Sequence, residues 1–312
     1  MKQLLESAGK IKSMEIRGAG KIARFAAAAL CDYAARVEAS SIAEFDEKMK
    51  NAAQVLVSTR PTAVSLPNAV RMTMRYKAGS VEEAKSAIAK NARDFISRSE
   101  LAMKKIGEIG ARRIRDGDTV LTHCNSAAAL SVIATAHAQG KSIHVYATES
   151  RPRMQGHLTI KHLDKLGIPT SFIVDSAVHH FMNRVDSVIV GADAITVNGA
   201  VINKIGTSQV ALAAHESRTN FIVAAETYKF SPKTMLGELV EIEERDWNEV
   251  LPADVARGLS SVKVRNPAFD VTPREYVDLI CTEIGAIPPE MSYIVIRDYL
   301  GWALEELETN KW

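Results

Sequence analysis

Cysteine, aromatic side chains and net charge are all scarce in this 312-residue chain: three cysteines, 6% Phe, Trp and Tyr, and a formal charge of +2 from 39 basic and 37 acidic residues. Cys31, Cys124 and Cys281 are too few and too scattered for a disulfide framework, and no CxxC pair is present to hold zinc. A charge so near balance leaves no basic face to follow a phosphate backbone, and no basic run is interleaved with aromatics, so nucleic acid is not expected as the primary partner. Long apolar runs are missing too. MKQLLESAGKIKSMEIRGAG carries charges where a secretory signal needs an apolar core, and no later segment is long enough to span a bilayer, so the expectation is a cytoplasmic protein with no membrane partner. There is no GxxxxGKS or GxxxxGKT loop and no HExxH, and RGAGKI lacks the preceding strand of a dinucleotide fingerprint. Neither a catalytic metal nor a cofactor is expected.

What is present is a hydrophobic fraction of 46%, enough for a sizeable core. Up to about residue 110 the stretches KIARFAAAALCDYAARV, SIAEFDEKMKNAAQVLVS and VEEAKSAIAKNARDFISRSELAMKKIGEIGARRI are rich in Ala, Lys, Glu and Met, with apolar residues three and four apart. That spacing predicts helices. The character changes at the turn RDGD, residues 115–118, after which short apolar runs (TVLTH, IHVYA, TSFIV, SVIVG, FIVAA) alternate with segments of helical pattern near 126–139, 155–166, 177–184 and 206–217. Such alternation is the mark of βαβ units and a parallel sheet. The expected organisation is an α/β chain with an N-terminal helical domain over 1–114 and a domain with a mostly parallel sheet over 115–312.

Ligands of open parallel sheets sit beyond the carboxyl ends of the strands. Four strand ends here carry polar groups, HCNS, TESRPRMQG, GAD and ETYKF, and they should meet in one crevice. Cys124 stands between a strand and a helix beginning near Ser126, where the positive end of the helix dipole favours thiolate and suits the sulfur as base or nucleophile. A cytosolic cysteine is as often a packed, inert one, which is the reading for Cys31 and Cys281, both inside helical patterns. Asp193 follows the apolar VIVG, where desolvation would raise its pKa and let it both give and take a proton; Asp is also a common turn residue at such a place. His123 alternates to the other face of the strand and is expected to pack or support the sheet.

Anion-friendly loops surround these two. Arg17 precedes Gly18, Ala19 and Gly20, which let the backbone approach a ligand ahead of a helix. Arg60 is fixed by a neighbouring proline, as are Arg151 and Arg153 in SRPRMQG, where Gln155 opens the next helix. Asn203 and Lys204 precede another helix start at Gly206 and Thr207. Arginine grips phosphate with paired hydrogen bonds, so several such loops suggest a substrate with more than one phosphate.

Taken in order, IRGAG, STRPTAV, THCNSAAAL, ESRPRMQG, VIVGADAITVNGAVINKIGT and RNPAFDVTP resemble, over nearly the whole chain, the family that unites sugar-phosphate isomerases with the regulatory subunits of translation initiation factor 2B. The resemblance implies that the domain over 115–312 is a Rossmann-like catalytic domain with a catalytic Cys124 and Asp193, a pair that regulatory subunits generally lack. RGAGKIA and TESRPRMQG depart from the RGAPAIG and DETRPRLQG of the methylthioribose-1-phosphate branch and favour the archaeal branch that acts on ribose 1,5-bisphosphate in nucleotide salvage. Further implications are substrate contacts from Arg17, Gly18, Ala19, Gly20, Arg60, Ser126, Arg151, Gln155, Asn203, Lys204 and Lys229, the last within YKF. The family also implies a homo-oligomer, a hexamer built as a trimer of dimers, and the pathway implies AMP as an activator, with no residue here identifying its site. Methylthioribose 1-phosphate, or a regulatory role without catalysis, remains the alternative.

Overall fold

The computed structural model describes residues 1–13, 15–16, 18–60 and 63–302. Two compact units divide at 102/103, inside the long helix α5. The first is helical: α1 (Lys2–Lys12), α2 (Ala19–Arg36), α3 (Ile42–Val57), α4 (Ser65–Met74) and the first part of α5 (Val81–Ala111). Ala23, Ala26, Ala27 and Ala34 line the buried face of α2, and their small side chains let α4 pack closely with Leu66, Ala69 and Val70. Phe45, Met49 and Leu56 of α3 close this core. α3 starts where Ser41 Oγ accepts from the Glu44 amide at 3.2 Å, while the Glu44 carboxylate reaches back to the Ser40 amide at 2.8 Å.

In the second unit β1 (Thr119–Thr122), α6 (Ala127–Ala138), β2 (His144–Thr148), α7 (Gly156–Lys165), β3 (Thr170–Ile173), α8 (Val178–Met182) and β4 (Ser187–Gly191) follow one another. Next come β5 (Ala194–Ile195), β6 (Val201–Lys204), α9 (Thr207–Glu216), β7 (Asn220–Ala224), β8 (Phe269–Thr272), β9 (Leu279–Thr282) and β10 (Gly285–Ile287). A seven-stranded sheet runs in the order β10-β9-β7-β4-β1-β2-β3, parallel except for β10. A separate antiparallel sheet has the order β5-β6-β8. The chain is therefore α/β, with a helical N-terminal region and a Rossmann-like, mostly parallel sheet. Against the expected boundary at 114/115, the last turns of α5 already belong to the second unit, because Ile106, Ala111 and Ile114 pack in the same core as Val120, Val132 and Ile133.

Strand order locates the functional end. From β1 the chain winds outward through β2 and β3, then crosses back to β4 on the other side of β1. Neighbours β1 and β4, with Leu121 opposite Val188, thus form the switch point where crossovers leave in opposite directions and a crevice opens beyond the carboxyl ends. Cys281, expected in a helix, lies instead in β9: the short run LICT pairs in parallel with β7, a long-range partner that local pattern does not reveal.

Candidate active site

Cys124 and Asp193 stand immediately past the ends of β1 and β4, the two strands at the switch point. Cys124 adopts φ +69°. That is left-handed backbone, which costs a side-chain-bearing residue about 1–3 kcal/mol and is held only by its surroundings. Its amide donates to Ser150 Oγ at 2.7 Å, and its carbonyl accepts from Thr159 Oγ1 at 2.7 Å. Asp193 is half-buried, and its amide donates to the Ile202 carbonyl of β6 at 2.9 Å, so its backbone is pinned to the small sheet.

The same sheet supplies Lys204 at the end of β6. Its ammonium is buried, donates to the Ala268 carbonyl at 2.9 Å and lies 4.7 Å from the centre of the Phe269 ring. Burial pushes its pKa down, while the nearby Cys124 and Asp193 charges push it back up. One cation thus faces both candidate proton carriers. Arg245, which sequence reasoning missed in an irregular stretch, adds a second positive charge that acts on Lys204.

Cys124 corrects one expectation. Only half-buried, it is nonetheless so closely surrounded that burial lifts the thiol to about 11, with Lys204 the main opposing influence and Asp193 and Asp175 adding to the rise. Desolvation thus raises the thiol against the direction that the helix end favours.

Other expected contacts divide by unit. Within the second, Ser126 caps α6, its hydroxyl accepting from the Ala129 amide at 3.3 Å. Gln155 occupies the cap position of α7, and Arg151 is exposed, its amide bound to Asp175 at 2.8 Å and its guanidinium 3.4 Å from the Val250 carbonyl. Asn203 is buried and donates to Thr207 Oγ1 at 3.0 Å. The end of β6, where Asn203 and Lys204 sit, was expected to be a loop before a helix. Lys229 is buried against Glu226 at 2.8 Å, with Tyr228 donating to the same carboxylate at 2.7 Å. An anion reaching Lys229 meets a lysine that already has a carboxylate partner. Within the first unit, Gly18, Ala19 and Gly20 lie at the start of α2, where the Ala19 carbonyl accepts from Ser65 Oγ at 3.3 Å; Arg60 is in the turn after α3. Arg17 lies outside the described residues. His123, expected to support the sheet, is buried with both ring nitrogens engaged.

Asp175 and Asp270 were not anticipated. Asp175 takes the Ser150 and Arg151 amides at 2.8 Å each, and Asp270 takes the Gly206 and Ser208 amides at 2.7 and 3.1 Å, fixing the start of α9. The only sequence signal was their place after an apolar run or within RNPAFDVTP.

Known proteins resemble this chain over most of its length. A protein of Archaeoglobus fulgidus named ribose 1,5-bisphosphate isomerase is 62% identical over 309 residues, covering 99% of this chain and 97% of that one. One of the same name from Methanocaldococcus jannaschii is 54% identical over 297 residues, covering 95% of each. Among solved structures, a Pyrococcus horikoshii OT3 translation initiation factor eIF-2B superposes with a TM-score of 0.79 at 34% identity, covering 93% of this chain and 98% of that one. The 5-methylthioribose 1-phosphate isomerase of the same organism gives 0.76 at 31% identity, covering 99% and 88%. The model of the initiation factor 2 subunit family matches residues 15–289, most of the length, and the chain belongs to that family.

Proposed function

We propose that this chain is a ribose 1,5-bisphosphate isomerase, converting the closed-ring aldose bisphosphate to ribulose 1,5-bisphosphate. The observation that carries the reading is the placement of Cys124 and Asp193 on adjacent strand ends with the Lys204 charge acting on both. Near-full-length similarity to proteins of that name supports it.

An aldose-to-ketose isomerisation moves hydrogen from C2 to C1, so it needs one group that takes a proton from carbon and another that serves the oxygens. The C1 phosphate blocks spontaneous opening, and ring opening must be catalysed. The cycle starts with the proton of the Cys124 thiol passing to Asp193, which leaves the thiolate. Asp193 then gives it to the ring oxygen as the C1–O bond breaks. The Cys124 thiolate takes the C2 proton, leaving a cis-phosphoenol between C1 and C2. Cys124 returns that proton to C1 while Asp193 takes the proton of the C2 hydroxyl. Both groups end as they stood after the first transfer. Lys204 offsets negative charge on the sulfur and on the enolate. Phosphates and hydroxyls fall to Arg17, Arg60, Arg151, Gln155, Asn203 and the Gly18–Gly20 and Ser126 turns. Lys229 would serve only by sharing its charge with Glu226.

Side-by-side assay of purified protein with ribose 1,5-bisphosphate and methylthioribose 1-phosphate is the test. Turnover of the bisphosphate is expected. Turnover of the methylthio sugar alone selects the other isomerase branch, and inactivity on both points to a regulatory subunit. Cys124→Ser and Asp193→Asn should each fold, bind bisphosphate and lose turnover. The same reading makes the chain a cytoplasmic homo-oligomer, a hexamer as a trimer of dimers, stimulated by AMP; light scattering and an assay with added AMP check these.

A further inference from the structure

Beneath Cys124 runs a set of hydrogen bonds that the chemistry above does not use. His123 Nε2 lies 2.9 Å from the Ile205 carbonyl oxygen, and Nδ1 lies 2.7 Å from Thr148 Oγ1. Thr148 Oγ1 is 3.3 Å from Ser150 Oγ, which accepts from the Cys124 amide at 2.7 Å. These residues come from the ends of three elements, β1, β2 and the β6–α9 turn.

Direction follows from what each atom can do. A carbonyl oxygen only accepts, so His123 Nε2 must carry a hydrogen. A neutral imidazole then has a bare Nδ1 that accepts from the Thr148 hydroxyl. Having spent its hydrogen there, Thr148 accepts from the Ser150 hydroxyl, whose oxygen accepts from the Cys124 amide. Every member is satisfied and the chain runs one way, from Cys124 to the backbone just before α9.

We propose that His123, as its Nε2–H tautomer, and Thr148 are positioning residues that hold Ser150 and thereby aim the Cys124 thiol at the substrate. Three independent features support the assignment. Cys124 and Ser150 both have positive φ, +69° and +58°, so their backbones rest on external bonds. Gly206, with φ +101°, lets the turn lie flat on the His123 ring, since a Cβ there would stand 3.0 Å from Cε1 and 3.1 Å from Nε2. The charged groups that face the ring are Asp175 beyond β3, 3.8 Å from Nδ1, Asp270 of β8 and Lys204 of β6. The two carboxylates favour an imidazolium, burial and Lys204 oppose it, and burial dominates, which keeps the ring neutral.

The turnover arm of the test rests on the isomerase reading; the other two arms do not. In nitrogen-15 NMR of the full-length protein, His123 is expected to keep the Nε2–H signature across about pH 5 to 8. Thr148→Val keeps the shape and removes the hydroxyl. It is expected to change the rate at which iodoacetamide alkylates Cys124, to lower kcat roughly ten- to a hundredfold as misaimed catalytic groups do, and to leave KM nearly unchanged. Thr148→Ser, which keeps the donor, should restore both. Ser150→Ala should reproduce the Thr148→Val effect and guards against a local defect at residue 148. An imidazole that titrates normally, or Thr148→Val with wild-type alkylation and turnover, overturns the proposal. A protein without isomerase activity whose alkylation still responds as stated retires the functional reading and keeps the positioning role.

Discussion

A Cβ on Gly191, the last residue of β4, would stand 2.2 Å from Ser126 Oγ and 2.6 Å from Ser126 Cβ, so the strand that presents Asp193 and the helix start that follows Cys124 touch through a missing side chain. Gly191→Ala should push the two apart. Overpacking of this kind costs about 1–3 kcal/mol, readable in urea denaturation, and turnover should fall as the two strand ends separate. Ser126→Gly in the same chain removes both clashing atoms at a small capping cost of a few tenths of a kcal/mol, so the double variant should recover most of the stability and part of the activity. A double variant no better than Gly191→Ala would show that the contact does not set the spacing.

Lys204 gives a prediction about charge alone. Its ammonium is the main influence holding the Cys124 thiol below where burial would put it, so Lys204→Met should move the alkylation profile of Cys124 to higher pH. Removing the ammonium also leaves the Ala268 carbonyl without its donor and Asp193 without an opposing charge, so stability should fall by about 1–3 kcal/mol while kcat/KM drops by on the order of a hundredfold. An alkylation profile that stays where it was would instead mark Lys204 as a packing residue.

How much of this was legible beforehand depended on the range of the interactions. SVIVG, read as a strand over 187–191, is β4 residue for residue, and the strands leading to Cys124 and Asp193 were readable because short apolar runs bounded by turn residues have little else to do. The small sheet was not. Asn203 and Lys204 looked like a loop before a helix because their partners, Asp270 and Phe269, lie far along the chain. Cys281 was misplaced for the same reason. The thiolate expectation erred in a different way: the helix start at Ser126 is visible in sequence, but the crowding that desolvates Cys124 exists only after folding. The Lys229–Glu226 pair was only three residues apart and could have been noticed from spacing alone.

The irregular stretch after β7 is tied back to the loop after β2. Arg153 Nε donates to Glu249 Oε1 at 2.8 Å with Nη2 on the same oxygen, and Asn266 approaches the other oxygen at 3.4 Å. Glu249→Gln weakens that tie. Since Arg153 is exposed, global stability should change by less than about 1 kcal/mol. Local opening is the sensitive readout: limited proteolysis at Trp247 or Arg257 should quicken while the rest of the chain resists as before. Unchanged cleavage would mean that other contacts hold the stretch.

Alkaline stability tests burial of the sulfurs directly. Cys281 is fully buried in β9, and its thiol is lifted from 9.0 to about 11 by that burial. The folded chain therefore keeps a proton that the unfolded chain releases near pH 9. Its contribution is complete below that point and is lost as pH rises through about 11, since there the unfolded state is favoured by ionising first. That rise corresponds to roughly 2–3 kcal/mol. Cys281→Ala should be less stable at neutral pH because it leaves a small void, yet its urea midpoint should fall less steeply between about pH 9 and 11 than that of the parent. Lysine and tyrosine ionisation acts equally on both proteins and cancels in the difference. Parallel midpoint curves over that interval would mean that the thiol ionises no later in the folded chain than in the unfolded one.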